Sequence, residues 1–158
     1  MTKLLKLLED DCTLTTEQLA SITKLTPEEV RAAIAEYEEN RTIIGYQAQI
    51  DWDKTDLESV TALIEVNVTP QRGDGFDAVA ERIYQYEEVE SCYLMSGRYD
   101  MCVILSGKTL REVAFFVSEK LATIAEVTGT ATHFILKKYK EKHLVFKKPE
   151  EQERGYFL

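Results

Sequence analysis

The sequence predicts an α+β protein in which a winged helix-turn-helix precedes a ferredoxin-like βαββαβ domain. Apolar residues recur at helical spacing up to about residue 40, and alternating, strand-like segments appear only after that point. The order of strand and helix patterns in the second part is βαββαβ. We therefore expect a winged helix-turn-helix at residues 1–50, a linker at 51–60, the βαββαβ domain at 61–145 and a C-terminal tail at 146–158.

Three short amphipathic helices are predicted between residues 2 and 40, and the start of the third is marked most clearly. Thr26 is a candidate N-cap and Glu29, three residues later, completes a capping box. The second helix has Thr15 or Thr16 as its candidate N-cap. Each of these helices is expected to bury one apolar face against the other two.

The segments around the third helix complete the predicted winged helix-turn-helix. Only residues 23–25 separate the second helix from the third, which is a turn length that lets two helices cross steeply. Residues 43–50 (IIGYQAQI) read as a strand that contains a glycine, as a wing strand after the third helix would.

The second domain is predicted from alternation, helical stripes and one hairpin. Its expected elements are a strand at 61–68, a helix at 75–86, hairpin strands at 89–95 and 99–105, a helix at 109–124 and a strand at 130–139. Gly97 is expected at the hairpin tip with a positive φ. The charged tail, which carries Pro149, is expected to be weakly ordered.

The predicted sheet has more apolar residues than two helices on one face can cover. The segment 101–105 (MCVIL) is apolar on both sides of its strand, and the strands at 61–68 and 130–139 have the same pattern. We expect the second face to be covered by the same face of another chain, which gives a homodimer packed sheet on sheet. The alternative is that the N-terminal helices fold back over this face.

Composition excludes several classes of protein. The chain has 158 residues and 44% hydrophobic content, lacks a run long enough to span a bilayer and shows no signal-peptide pattern, so we expect a cytoplasmic protein with no membrane partner. Three cysteines without CxxC spacing and two distant histidines suggest neither a disulfide framework nor a metal site. No nucleophilic catalytic set or cofactor motif is recognisable, so we predict a non-enzyme without a cofactor.

The charge balance is acidic throughout. The net charge is −9, and residues 1–50 contain five basic and nine acidic residues. Because affinity for nucleic acid rests largely on Lys and Arg that neutralise phosphates, neither half reads as a basic nucleic-acid module.

Several runs of residues, in this order and spacing, resemble the Lrp/AsnC (feast/famine) family of transcriptional regulators. They are Leu19-Ala20 and 25–30 (LTPEEV) in the helix-turn-helix, 43–46 (IIGY) at its exit, and 94–100 (LMSGRYD) in the second domain. The resemblance covers nearly the whole chain. It implies a regulator that binds double-stranded DNA, dimerises through its sheet, often assembles into octamers, and binds an amino acid or related metabolite near the 94–100 loop.

The polar insert of that loop has chemistry that suits an amino acid. A carboxylate can accept from backbone N–H groups or Arg98, and an ammonium can donate to Asp100 or to carbonyl oxygens. The predicted effector-binding residues are Ser96, Gly97, Arg98, Tyr99 and Asp100, with Thr128, Thr130 and Thr132 as further hydroxyl partners. The alternative is that Gly97 merely makes the turn and that the charges are solvated.

The predicted DNA-reading residues lie in the first turns of the third helix: Thr26, Glu28, Glu29 and Arg31. Glu29 is explained at least as well by the capping box, and the helix continues with alanines and glutamates rather than arginines. A second hypothesis therefore remains, a metabolite-binding or assembly protein with weak or lost DNA binding. An oligomer would let the helix-turn-helix domains of several chains, each a reading head that binds DNA weakly, act together.

Overall fold

Residues 2–69, 75–107 and 109–146 are described by the structure, a computed structural model. The chain divides into two units, residues 1–49 and residues 50–158. Most of the predicted tail, residues 147–158, lies outside the described residues.

The first unit consists of three helices, as predicted. They are α1 (Thr2–Asp10), α2 (Thr16–Thr23) and α3 (Pro27–Glu39). Their apolar faces meet in one cluster of buried side chains, formed by Leu4, Leu19, Ala20, Val30 and Tyr37. This cluster leaves the opposite face of each helix to solvent, which is the usual arrangement for amphipathic helices.

Capping boxes define where α2 and α3 begin. Thr15 is the N-cap of α2: its hydroxyl accepts from the Gln18 N–H at 3.2 Å, and its own N–H donates to Gln18 Oε1 at 2.8 Å. Thr26 caps α3 in the same way, accepting from the Glu29 N–H at 3.2 Å and donating to Glu29 Oε2 at 2.7 Å. Two backbone donors at each helix start are thereby satisfied.

The prediction of a wing strand at residues 43–50 was wrong. The segment has no regular secondary structure, and Ile44 is 84% exposed. A strand needs a neighbour for its N–H and C=O groups, and no strand within the described ranges pairs with this segment.

The second unit contains a four-stranded antiparallel sheet and two helices, which confirms the predicted α+β class. Its elements are β1 (Val60–Val68), α4 (Gly75–Tyr84), β2 (Val89–Leu94), β3 (Met101–Gly107), α5 (Leu110–Phe116) and β4 (Val127–Phe134). The strand order is β2-β3-β1-β4. One π-helical turn, Val117–Leu121, extends α5, and β4 ends five residues before the predicted limit.

The two faces of the sheet differ in composition. On one face, Ile64 pairs with Val103 and both are fully buried in the core that the helices cover. On the other face, Leu63 pairs with Ile104 and with His133, while Glu65 lies beside Cys102 on β3. The second face is therefore apolar at its centre but carries a carboxylate and an imidazole.

Two short features were not predicted. A 3₁₀ turn, Trp52–Lys54, lies in the predicted linker. The strands β5 (Lys140–Glu141) and β6 (Leu144–Val145) form a small hairpin after β4. Its two turn residues, Lys142 and His143, have φ of 43° and 71°, which are conformations that glycine or asparagine usually occupies.

Candidate functional site

The loop between β2 and β3 is anchored on the end of β1. The Met95 N–H donates to the Asp100 carbonyl at 2.8 Å, which closes the loop, and the Asp100 N–H donates to the Val66 carbonyl at 3.1 Å. The Val68 N–H donates to Asp100 Oδ2 at 2.8 Å. The sequence-predicted effector loop therefore has a defined position beside the last residues of β1.

Asp100 has a partner within the protein. Its carboxylate lies half-buried and satisfies a backbone donor of Val68, which is only 6% exposed. Sequence reasoning missed this role because the two residues are 32 positions apart. The alternative interpretation, in which the loop charges are merely solvated, does not describe Asp100, because its carboxylate accepts a structural hydrogen bond at the strand end.

The prediction of a positive φ at Gly97 was wrong. Among the described glycines only Gly75 has a positive φ, of 60°. A Cβ atom added to Gly97 would meet no atom within 4 Å. The chain reversal is spread over residues 96–100 instead of a two-residue turn, so no left-handed residue is required at this position.

The other residues of the loop differ in exposure. Ser96, Gly97 and Arg98 are exposed, whereas Tyr99 is half-buried. The guanidinium of Arg98 is thus accessible from solvent, as an anion-binding group must be.

Two of the three predicted threonines lie near the same end of β1. The Thr128 hydroxyl donates to the Asn67 carbonyl at 3.2 Å, at the irregularity where β4 shifts its register against β1. Thr130 is paired with Val66, whose carbonyl also accepts from the loop. Thr132 is paired with Ile64, which is two residues nearer the start of β1 than Val66. Thr128 and Thr130 therefore lie at the same end of the sheet as the loop, on the opposite side of β1, and Thr132 lies farther from that end.

The predicted DNA-reading residues divide into two pairs. Thr26 and Glu29 hold the capping box of α3, as the sequence favoured for Glu29. Glu28 and Arg31 form an exposed ion pair, with Nη2 and Oε1 2.7 Å apart. Arg31 is thus the exposed cation of α3, and a carboxylate partly neutralises it.

The outward face of α3 is otherwise small or acidic. Val30 and Tyr37 point into the core, and the exposed residues beyond Arg31 include Ala32, Ala35, Glu36, Glu38 and Glu39. Such a surface offers methyl groups and carboxylates to a partner, and it attracts phosphate weakly.

His133 and Glu65 form a contact on the second face of the sheet, the face that α4 and α5 do not cover. Nε2 of His133 lies 3.3 Å from Oε1 of Glu65. Across the described ranges, no three His, Cys, Asp or Glu side chains are grouped so that they could hold a metal ion. In the same part of the chain, none of the helices combines the length and the apolar character needed to cross a bilayer.

Comparison with known proteins agrees with this arrangement. The family model of the Lrp/AsnC ligand binding domain matches residues 61–145. The uncharacterized HTH-type transcriptional regulator YugG of Bacillus subtilis is 47% identical over 154 residues, which cover 97% of this chain and 93% of that protein. The Bkd operon transcriptional regulator of Pseudomonas aeruginosa is 29% identical over 135 residues, covering 85% and 88%.

A solved structure has the same fold. The transcriptional regulator NMB0573 of Neisseria meningitidis, in complex with L-Met, matches with a TM-score of 0.71 at 22% identity, covering 88% of this chain and 89% of that one. Together, the family model and the 47% identical relative establish that the chain belongs to the Lrp/AsnC family of transcriptional regulators.

Proposed function

We propose that the protein is a sequence-specific DNA-binding transcriptional regulator whose activity responds to a small metabolite, with an amino acid as the expected effector. The observation that carries the proposal is the 47% identity to an HTH-type regulator over 97% of the chain, a span that includes both units. Residues 1–50 act as the DNA-binding domain, 51–60 as the linker and 61–145 as the effector-binding and oligomerisation domain. The regulator acts in the cytoplasm and uses no catalytic step or cofactor.

In the DNA-binding domain, α2 and α3 form the helix-turn-helix and α3 is the recognition helix. Its first turns carry Thr26, Glu28, Glu29 and Arg31, the positions that reach base edges in this class of motif. Breaking the exposed ion pair between Glu28 and Arg31 costs little free energy, because such pairs contribute only about 0–1 kcal/mol to stability. Arg31 is therefore able to exchange its carboxylate partner for a guanine edge or a phosphate, and Glu28 is then able to accept from cytosine N4.

The effector binds at the end of β1, which lies between the 96–100 loop on one side and Thr128 and Thr130 of β4 on the other. Arg98 is the cation that meets a carboxylate, and hydroxyl and carbonyl oxygens around Thr128 accept from an ammonium. Asp100 Oδ2 accepts a hydrogen bond from the Val68 N–H, so the first role of Asp100 is to position the loop against the end of β1. The L-Met complex of the Neisseria regulator supports an amino acid as the class of effector.

The second face of the sheet, which α4 and α5 do not cover, is the dimer surface. Leu63 and Ile104 form its apolar centre, and a second copy of the same face would remove both from water. Assembly of dimers into a larger ring such as an octamer would bring several weak reading heads onto one DNA segment. Such multivalency compensates for the acidic surface of each head.

A second candidate function is favoured by the charge of the first unit. Nine acidic and five basic residues, together with the alanine and glutamate face of α3, suit a metabolite-binding assembly protein that has lost most of its DNA affinity. Both candidates share the same effector site and dimer surface, so only DNA binding separates them.

A mobility-shift assay on the DNA upstream of the protein's own gene, titrated with salt, tests the proposal. A regulator binds that fragment more tightly than an unrelated duplex of equal length, and its affinity falls steeply as the salt concentration rises. Equal, weak binding to both duplexes would favour the second candidate.

A further inference from the structure

We infer that Lys24, in the turn between α2 and α3, and Lys3, on α1, form the phosphate-contacting surface of the reading head. We also infer that Lys24 is kept in a strained backbone conformation for this contact. The inference rests on the proposed DNA-binding function and assigns a surface outside α3 to the DNA backbone.

The backbone at Lys24 is left-handed. Its φ and ψ are 62° and 32°, and its N–H donates to the Ala20 carbonyl, which also accepts from the Leu25 N–H at 3.2 Å. The bond from Lys24 is that of an αL cap and the bond from Leu25 is the 6→1 bond of a Schellman motif; in both caps glycine usually occupies the left-handed position because a Cβ atom is disfavoured there. A long cationic side chain at this position costs stability, and residues held in such conformations cluster at functional sites.

A second ammonium lies at the same helix end. Lys3 Nζ donates to the Ile22 carbonyl at 2.8 Å, two residues before Lys24, and both lysines are exposed. The first helix of the unit and the turn therefore deliver two cations to one surface. They come from elements 19 or more positions apart in sequence, so their proximity is a property of the fold.

The outward face of α3 is poorly suited to phosphate. Arg31 is paired with Glu28, and the exposed residues that follow on α3 are alanines and glutamates. When the first turns of a recognition helix enter the major groove, the preceding helix of the motif, here α2, crosses the flanking backbone. Lys24 caps the C-terminal end of α2, and Lys3 Nζ lies at the same end because it donates to the Ile22 carbonyl.

An alternative explanation is purely structural. Cations near the C-terminal end of a helix interact favourably with its dipole and its last carbonyls. In that case removing the Lys24 charge lowers stability and leaves DNA affinity unchanged, which is the opposite of the result that phosphate contact predicts.

The experiment uses the full chain, the DNA upstream of its own gene and a random duplex of the same length. Lys24→Gly should raise the Tm by about 2–8 °C, the shift expected when about 1–2 kcal/mol of left-handed backbone strain is relieved in a chain of this size. At 0.1 M salt it should weaken binding to both duplexes about eightfold per bound chain, because each released counterion contributes about 0.9 to the slope of log K against log salt. Lys24→Gln and Lys3→Gln should each lose the same affinity, and Lys24→Gln should do so without the gain in Tm.

The matched control is Lys142→Gly. Lys142 also has a positive φ, of 43°, but lies in the hairpin of the second unit. Its replacement should raise the Tm by a similar amount and leave both DNA affinity and salt slope at the wild-type values.

The outcomes separate the inference from the proposed function. If wild type shows salt-dependent binding but Lys24→Gly and Lys24→Gln bind with its affinity and slope, the phosphate assignment is wrong and the regulator proposal stands. A lower Tm for Lys24→Gly would overturn the strain argument. Absence of salt-dependent binding by wild type on either duplex would overturn the inference together with the proposed function.

Discussion

Replacing Asp100 with alanine tests the anchoring of the 96–100 loop to the end of β1. The substitution removes the acceptor of the Val68 N–H, a bond of 2.8 Å, and Val68 is 6% exposed, so water reaches the orphaned donor poorly. Hydrogen bonds to charged groups are worth about 1.5–3 kcal/mol. We therefore expect Asp100→Ala to lower the Tm by roughly 3–12 °C for a chain of this length. Thermal unfolding at a fixed protomer concentration measures this shift.

Two further variants sharpen the test. Asp100→Asn keeps a neutral acceptor at the same place and should lose only about 0.5–1.5 kcal/mol. Arg98→Ala removes an exposed charge from the same loop and should stay within about 0.5 kcal/mol of wild type. If Asp100→Ala unfolds like Arg98→Ala, the contact with Val68 does not stabilise the fold and the position that we give the loop is wrong.

Three other predictions concern DNA reading, helix capping and acid stability. Arg31→Ala should weaken binding to a specific site by about 1–3 kcal/mol in a mobility-shift titration and leave the sedimentation coefficient unchanged; equal loss on every sequence would assign Arg31 to phosphate. Thr26→Ala should cost about 0.5–2 kcal/mol in urea unfolding through loss of the α3 cap, with Thr26→Ser close to wild type; equal stability of the two variants would contradict the cap. The Arg82 guanidinium, whose Nη2 lies 2.8 Å from Glu126 Oε1, donates a hydrogen bond that holds the pKa of Glu126 below its ordinary value of 4.5. The stability that ionised Glu126 gains from this hydrogen bond is therefore fully present above pH 4.5 and is lost as the pH falls through the lowered pKa. Glu126→Gln should accordingly destabilise the protein at pH 7 and converge with wild type in strong acid, and a constant difference across the pH range would contradict this.

Local signals in the sequence were sufficient for most of the fold. The capping box of Thr26 and Glu29 and the alternation of β1 depend only on residues a few positions apart, so both could be predicted without coordinates. The order of the elements of the sheet domain followed from the same kind of pattern.

Features that depend on distant partners could not be predicted. The bond between Asp100 and Val68 joins residues 32 positions apart, and no local pattern marks it. The segment 43–50 has strand-like composition but lacks a pairing partner among the described strands. The turn of the C-terminal hairpin uses Lys142 and His143 at positive φ, so the glycine or asparagine that usually indicates such a turn was absent.

The most direct test of the central claim, that a metabolite-binding domain controls a DNA-reading head, is the affinity of the full chain for its upstream DNA with and without each amino acid. Fluorescence anisotropy at constant salt measures this affinity. We predict that one amino acid or a small group changes the Kd about 5–150-fold, the range of coupling free energies found between linked sites, and that DNA changes the affinity for that amino acid by the same factor. A Kd that is the same in the presence of every amino acid, at concentrations that raise the Tm, would contradict the account.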